Sequence, residues 1–380
     1  MKTIFIHPLI CCIISLVLVT LLTCEYDLKI KDISIDLNQA DKVQLSSLAS
    51  KVEYIKVGQV TRGETIYPIS KVYSLSENKF LINERKPLER NNFYVLDDRG
   101  NILNSLVDRK DTIDLSLATD VSLRGQDIVV LNYGKGALQY FDHKLNLFRS
   151  TKMPDLYLKF YPLDDTHVIY ETNGTSLGHN NHALNIYNEI NGNSVFCLDV
   201  DPKLEMGENY ERFSYSLTEQ QAYVYYTRMF DPFIYQLTGD ECIPKYKYKF
   251  VGRDILINQD ELRRYHEDFS AIPEINQKIL RVYSLVELEN GLLFFIIRKD
   301  NLQTWVYYSY RKKTTRLFQV VHNDVDSGPL PYFVPLGVAQ PNKLIFKVSA
   351  AEMVKYGKMN ASSNDNDYLM ILALKTELFN

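Results

Sequence analysis

A short polar turn followed by a run of apolar residues recurs six times along this chain of 380 residues. Asn78-Lys79 leads into Phe80-Leu81-Ile82, and Gln126-Asp127 into Ile128-Val129-Val130-Leu131. Asp164-Asp165-Thr166-His167 precedes Val168-Ile169-Tyr170, and Gln220-Gln221 precedes Ala222-Tyr223-Val224-Tyr225-Tyr226. Asn290-Gly291 introduces Leu292–Ile297, and Pro341-Asn342-Lys343 introduces Leu344-Ile345-Phe346. Short runs rich in β-branched and aromatic residues, bounded by turn formers, read as strands. From Phe80 to Leu344 the five intervals average about 53 residues. A second strand-like run follows each anchor: Phe93–Leu96, Leu138–Phe141, Leu184–Tyr187, Phe233–Leu237, Trp305–Tyr308 and Tyr368–Leu372. In the early repeats it ends on a hairpin signal, as in Asp97-Asp98-Arg99-Gly100-Asn101, Asp142–Asn146 and Asn188–Asn193.

A unit of four short strands at this period is the pattern of a propeller blade. One four-stranded sheet cannot bury both faces alone, whereas six set radially bury them against one another and leave only short edges. The pattern therefore predicts an all-β fold, a six-bladed β-propeller of four-stranded antiparallel blades. No run of βαβ units appears, which argues against a doubly wound α/β fold. After Tyr368–Leu374 six residues remain, too few for a turn and another strand. Val52–Val57 is strand-like and has no blade of its own, so this N-terminal strand is expected to close the ring as the outer strand of the sixth blade. Asn258-Gln259-Asp260-Glu261 reads as a capping box, with Leu262, Tyr265 and Phe269 at helical spacing behind it. One short helical insertion near 258–270 follows.

Lys2 is the only charged residue before Glu25, and the residues between are mostly apolar. The run Ile4–Leu22 reads as a signal sequence or a membrane-spanning anchor. Leu21-Leu22-Thr23-Cys24 resembles a bacterial lipoprotein box, with an aliphatic residue three before a cysteine and a small residue just before it. The expected organisation is a signal peptide over 1–23, a lipid-anchored linker over 24–44 beginning at a lipidated Cys24, and the propeller over 45–380. An uncleaved anchor and plain secretion are the alternatives. With Cys11 and Cys12 in the signal and Cys24 carrying lipid, Cys197 and Cys242 remain. An oxidising compartment could pair them, or each could be a small buried apolar residue.

The opening segment Leu45-Ser46-Ser47-Leu48-Ala49-Ser50-Lys51-Val52-Glu53-Tyr54-Ile55-Lys56-Val57 looks like the opening "LSDIADSVEYIPLE" of a known family. Together with the lipoprotein signal and blades whose strands end on an aspartate before a hairpin, as in Phe141-Asp142 and Val95-Leu96-Asp97, it resembles the six-bladed β-propeller lipoproteins common in Bacteroidetes. The resemblance covers essentially the whole mature chain. Arg109-Lys110-Asp111-Thr112 stands where relatives often carry a Gly-Pro-Gly-rich stretch. It implies the fold and an address at the bacterial cell envelope, lipid-anchored in the outer membrane, and no catalytic residues.

Charge narrows the partners. Lys and Arg number 43 against 47 Asp and Glu, a net charge of −4, which argues against nucleic acid. Aligning the six anchors places a cation at or just after the strand end in five of them: Arg85, Lys135, Arg228, Arg298 and Lys347, with Glu171 in the third. Equivalent strand ends in a propeller converge on one face. Tyr133 and Phe230 add aromatic surface there. Such a basic, aromatic-rimmed funnel suits an anionic glycan, a carboxylated peptide or a protein loop. A solvated scatter of loop cations is the competing reading.

Motifs for chemistry are sparse. His179-Asn180-Asn181-His182 pairs two histidines without a third ligand nearby, so no metal site is expected there. Asp324-Val325-Asp326-Ser327-Gly328 begins like a calcium loop but lacks the closing Glu, and Asn364-Asp365-Asn366-Asp367 is equally incomplete. Asp111-Thr112-Ile113 resembles an O-glycosylation site of exported Bacteroidetes proteins. No cofactor is expected, with calcium the one alternative. The reading is an envelope-anchored, non-catalytic ligand-binding or scaffold protein. The alternative is a calcium-assisted lactonase or hydrolase on a six-bladed propeller, for which Glu171 and Asn132 are the visible channel candidates.

Overall fold

The computed structural model describes residues 30–58, 69–75, 78–84, 92–106, 114–115, 117–172, 182–199, 213–216, 223–228, 231–251, 282–297, 303–331, 334–339, 342–358 and 367–379. Their strands form six sheets. Blade 1 takes Ile69–Leu75, Lys79–Glu84, Asn92–Asp97 and Ile102–Ser105, each antiparallel to the last. Blade 2 runs Ala118–Arg124, Asp127–Asn132, Ala137–Phe141 and Leu147–Lys152. Blade 3 runs Lys159–Pro162, His167–Glu171, His182–Asn188 and Ser194–Asp199. Blade 5 is built on Tyr283–Leu288, Gly291–Ile297, Gln303–Ser309 and Thr315–His322. Every apolar anchor read from the sequence falls on the second strand of a blade, and every following run on the third.

The ring closes as the sequence predicts. Blade 6 supplies Gly337–Ala339, Lys343–Val348 and Tyr368–Leu374, and its outer strand is Ala49–Lys56 from the start of the chain. Tyr368 pairs with Lys56, Met370 with Tyr54 and Leu372 with Val52, antiparallel throughout.

The stretch read as a linker, 24–44, does more than that. Lys31–Ile35 adds parallel to Cys242–Phe250 on the outer edge of blade 4, and Asp41–Gln44 adds parallel to Thr315–His322 on blade 5. The segment thus joins blades 4 and 5, and with Ala49–Lys56 the start of the chain laces three consecutive blades. Blade 4 is otherwise Val224–Tyr226, Phe233–Leu237 and Cys242–Phe250, met on the inside by a single bridge from Phe213 to Tyr226. Just beyond that bridge, Tyr215–Ser216 pairs parallel with the inner strand of blade 5.

Each of the six joints has its own apolar core. Leu81 and Val95 meet Val121 and Val130 between blades 1 and 2. Tyr140 and Leu138 meet Phe160 and Tyr170 between blades 2 and 3. Ile169 and Leu184 meet Val224 and Leu237 between blades 3 and 4, and Tyr225 and Ile234 meet Phe294 and Tyr308 between blades 4 and 5. The only tryptophan, Trp305, lies between Phe295 and Phe346 at the joint of blades 5 and 6, with ring centroids 5.1 and 5.9 Å away. Ile55, Ile345 and Leu369 meet Ile82 and Tyr94 where blade 6 closes on blade 1.

Two of the three hairpin signals share one mechanism. Asp97 accepts the backbone N–H of Arg99 and Asn101 and the Asn101 side-chain amide; Asp142 repeats this with Lys144 and Asn146. Burial works against their ionisation, but these bonds outweigh it and hold both carboxyls below the usual range. One helix of six residues, Ala350–Lys355, lies inside blade 6, started by a Ser349–Glu352 capping box. The helix expected near 258–270 lies outside the described residues.

The closing joint is tight at the backbone. Val72 N–H of blade 1 donates to Leu336 O of blade 6 at 3.0 Å, and a Cβ on the adjacent Gly337 would sit 1.8 Å from Val72 O. Gly125, by contrast, turns with φ +59° in open space. Gly337→Ala should therefore cost about 2–3 kcal/mol or more by forcing blades 1 and 6 apart, whereas Gly125→Ala should cost only the left-handed penalty of about 1–2 kcal/mol. Urea unfolding of the two variants measures the difference, and equal losses would contradict a backbone-limited joint.

Candidate functional site

The inner strands carry charge into the propeller core. Lys71 of blade 1 reaches Asp120 of blade 2, Nζ to Oδ1 2.8 Å, and both side chains are largely buried. The other oxygen of Asp120 accepts Phe160 N–H from blade 3 at 3.2 Å. Beside Phe160, Lys159 lies 3.8 Å from Glu171 Oε2, and Glu171 Oε1 accepts the Tyr226 hydroxyl of blade 4 at 2.8 Å. A chain of polar contacts thus links four successive blades. Buried charges persist only when paired in this way, because losing one partner leaves the other desolvated without compensation.

The residues proposed from the strand ends fall on this scaffold in different ways. Glu171 is fully buried. Arg228 donates from Nε to Asp231 Oδ2 at 2.7 Å, and Asp231 also accepts the Tyr235 hydroxyl at 2.9 Å. Burial opposes the charge on Arg228, but Asp231 outweighs it and keeps the guanidinium firmly protonated. Glu171 and Arg228 meet around Tyr226, whose phenol bonds to the first and interacts electrostatically with the second. Tyr133 and Lys135 occupy a separate 3-10 turn, Tyr133–Lys135, capped by Asn132, with Tyr133 half-buried and Lys135 exposed. Lys347 pairs with Asp367 at 3.3 Å in blade 6. Arg85, Phe230 and Arg298 lie outside the described residues.

A cavity of about 1,020 Å³ opens elsewhere. Asn78 and Gln126, in the turns between first and second strands, line it, and so does Asp98, in a turn between third and fourth. Successive strands of a blade are antiparallel, so these turns lie on the face opposite the ends of the second strands. The cavity and the described strand-end positions Lys135, Arg228 and Lys347 are on opposite faces. Its walls carry Tyr54, Tyr73, Tyr161, Phe213 and Tyr215 among Ser74, Ser122 and Ser214. Its charged groups are Glu53, Asp98 and Lys343. Tyr161 stacks on Phe213 with centroids 5.0 Å apart; Tyr73 donates to Val121 O at 3.1 Å and Tyr215 to Leu336 O at 3.0 Å. These bonds tie Tyr73 of blade 1 to blade 2 and Tyr215 to blade 6, while Phe213 and Tyr215 are themselves largely buried in the neighbouring cores.

One sequence signal points at this wall: Phe213-Ser214-Tyr215-Ser216 alternates aromatic and hydroxyl, the period of a strand with an aromatic face.

The calcium-like loop is a clamp. Asp324 accepts the backbone N–H of Ser46 at 2.8 Å and its hydroxyl, which holds its carboxyl below the usual range. Asp326 accepts Asn323 Nδ2 at 2.7 Å and Gly328 N–H at 3.1 Å, and lies 3.2 Å from Lys358 Nζ. Asn132, the other channel candidate for catalysis, donates to Gln139 Oε1 at 2.9 Å and Asp114 O at 2.7 Å. Among the described residues no three His, Cys, Asp or Glu side chains gather as a metal site would require. His182 pairs with Asp199 at 2.9 Å, while His179 and the 364–366 part of the second acidic run lie outside the described residues.

A family model for a 6-bladed β-propeller matches residues 27–347. Among solved structures, a Bacteroides fragilis protein described as exported superposes with a TM-score of 0.66 at 13% identity, covering 91% of this chain and 100% of that one. A DUF4221 member from Bacteroides vulgatus gives 0.49 at 11% identity, covering 86% and 97%. The virginiamycin B lyase of Staphylococcus aureus gives 0.41 at 9% identity, covering 86% and 99%. None of the curated proteins matches the sequence.

Replacing Asp120 by Ala should cost about 3–5 kcal/mol, since it strips Lys71 of its carboxylate inside the core. The double variant Lys71→Met with Asp120→Leu should recover most of that loss. Urea unfolding tests both, and a double variant as unstable as Asp120→Ala would show that the pair does more than neutralise its own burial.

Proposed function

Because the chain belongs to the DUF5128 family of 6-bladed β-propellers, we propose that it is a non-catalytic binding protein of the bacterial envelope, tethered through lipid on Cys24, that takes a glycan in the aromatic cavity. One observation carries this reading: six aromatic rings, Phe80 among them, and four serine hydroxyls, Ser216 included, line a single cavity of about 1,020 Å³. Sugar rings present apolar C–H faces and a hydroxyl edge, and a wall alternating aromatic and hydroxyl side chains complements both. Glu53, Asp98 and Lys343 give the rim mixed charge, which favours a neutral or zwitterionic glycan over the anionic ligand expected from the strand-end cations. The non-catalytic reading is supported by the engagement of Asp120, Glu171 and Asp231 with protein donors. The tether is supported by the Leu21-Leu22-Thr23-Cys24 motif behind an apolar leader.

Binding of oligosaccharides to the purified mature chain, surveyed on a glycan array and quantified by calorimetry, tests the ligand. Tyr161→Ala should weaken the best ligand by about tenfold or more, the value of one lost ring contact of about 1.5 kcal/mol. No binder in the survey, or a binder indifferent to Tyr161→Ala, would overturn the reading. For the tether, Cys24→Ser should move the protein from the membrane to the soluble fraction on cell fractionation; retention in the membrane would point to an uncleaved apolar leader.

A further inference from the structure

Blade 4 is the irregular member of the ring. Its second strand is only Val224–Tyr226, and Tyr215–Ser216 pairs with blade 5 instead. At its joint with blade 3, two cysteines approach each other. Cys197 lies on Ser194–Asp199, the outer strand of blade 3, and Cys242 begins Cys242–Phe250 in blade 4. Both belong to the apolar cluster between these blades, and their ladder partners, Leu184 and Leu237, are buried in the same cluster. The thiols share a hydrogen bond, which favours Cys197 as the thiolate and pushes Cys242 up. They are the only cysteines beyond position 24.

We propose that Cys197 and Cys242 are joined by a disulfide in the exported protein, a covalent staple between blades 3 and 4. The inference rests on the envelope address proposed above for its oxidant, and on the packing of the two side chains for its geometry. The oxidant is another disulfide, R–S–S–R, either small or borne by an envelope oxidoreductase. Both cysteines are free thiols in the structure, Cys197 buried and Cys242 partly exposed, so Cys242 is the sulfur an oxidant reaches first. Cys242 Sγ, its proton taken up by the Cys197 thiolate that accepts its hydrogen bond, attacks one sulfur of R–S–S–R and releases R–S⁻. Cys197 thiolate then attacks the Cys242 sulfur of the mixed disulfide and releases the second R–S⁻. The two thiol protons pass to the two released thiolates, so one disulfide is reduced for each one formed. The bond encloses a loop of about 45 residues, and such a cross-link acts chiefly by restricting the unfolded chain.

The test blocks free thiols in intact cells at lysis and maps the full-length protein by mass spectrometry before and after reduction. The expected result is a Cys197–Cys242 cross-linked peptide that alkylates at both sites only after reduction. The purified protein should also lose several degrees of Tm on treatment with a phosphine reductant, and the Cys197→Ser, Cys242→Ser double variant should be insensitive to it. A second arm adds oxidised glutathione to the reduced protein, which should restore the cross-link without intermolecular dimers. Both cysteines alkylated without reduction, or no intramolecular cross-link under oxidised glutathione, would overturn the proposal. Because the mapping uses total cell protein, its outcome is independent of whether Cys24 carries lipid.

Discussion

Everything in this molecule depends on burying two faces of every blade. A twisted sheet with apolar residues on both faces is insoluble alone, and each blade meets the requirement only by lending each face to a neighbour. The joint between blades 6 and 1 is the one that sequence order does not supply. Here the chain uses its most intimate contacts: a backbone hydrogen bond from Val72 to Leu336, another from Gly58 to Gly100, and the side-chain-free positions of Gly100 and Gly337 that let carbonyls approach. The antiparallel ladder of Ala49–Lys56 on Tyr368–Leu374 ties the same joint from the outside.

The N-terminal segment reaches that joint by a held path. It pairs with blade 4 and then with blade 5, and at Ser46 it is gripped by Asp324 from the loop after the outer strand of blade 5. Tyr54, in the closing strand, is met from the same loop by Asn323 and Asp326, and burial followed by the Asp326 charge holds its phenol protonated. The acidic loop thus positions the closing strand, and its carboxylates are spent on backbone and side-chain donors of the protein itself.

Much of the fold was legible in the sequence because it repeats. The second and third strands of every blade are predominantly apolar, since both of their faces are covered, and the turns between third and fourth strands in blades 1 and 2 share one aspartate-to-asparagine clasp. The inner and outer strands were harder to read. Inner strands such as Ala118–Arg124 and Lys159–Pro162 interleave charged and polar residues with apolar ones, because one edge faces the channel and burial there is achieved through ion pairs between blades. Lys31–Ile35 and Asp41–Gln44 read as linker because each is short and polar on one side, and its partner lies two hundred or more residues away. The strand-end alignment placed its residues at or just after the second strands, as Glu171 and Lys347 lie in those strands and Lys135 and Arg228 shortly after them. It could not reveal that Arg228 and Lys347 are met by Asp231 and Asp367, or that the aromatic cavity lies on the other face.

The lacing of Lys31–Lys56 across the last three blades also dictates an order of events. A ribosome delivers these residues first, yet their partners, Cys242–Phe250, Thr315–His322 and Tyr368–Leu374, emerge only in the second half of synthesis. Each of these strands must therefore stay unpaired until its partner has emerged, and the pairing of Ala49–Lys56 with Tyr368–Leu374 comes last. Such pairing between distant parts of a chain is slow and leaves sheet edges exposed while it is pending. A protein built this way stays open while its blades accumulate, and becomes locked only when Tyr368–Leu374 can meet Ala49–Lys56.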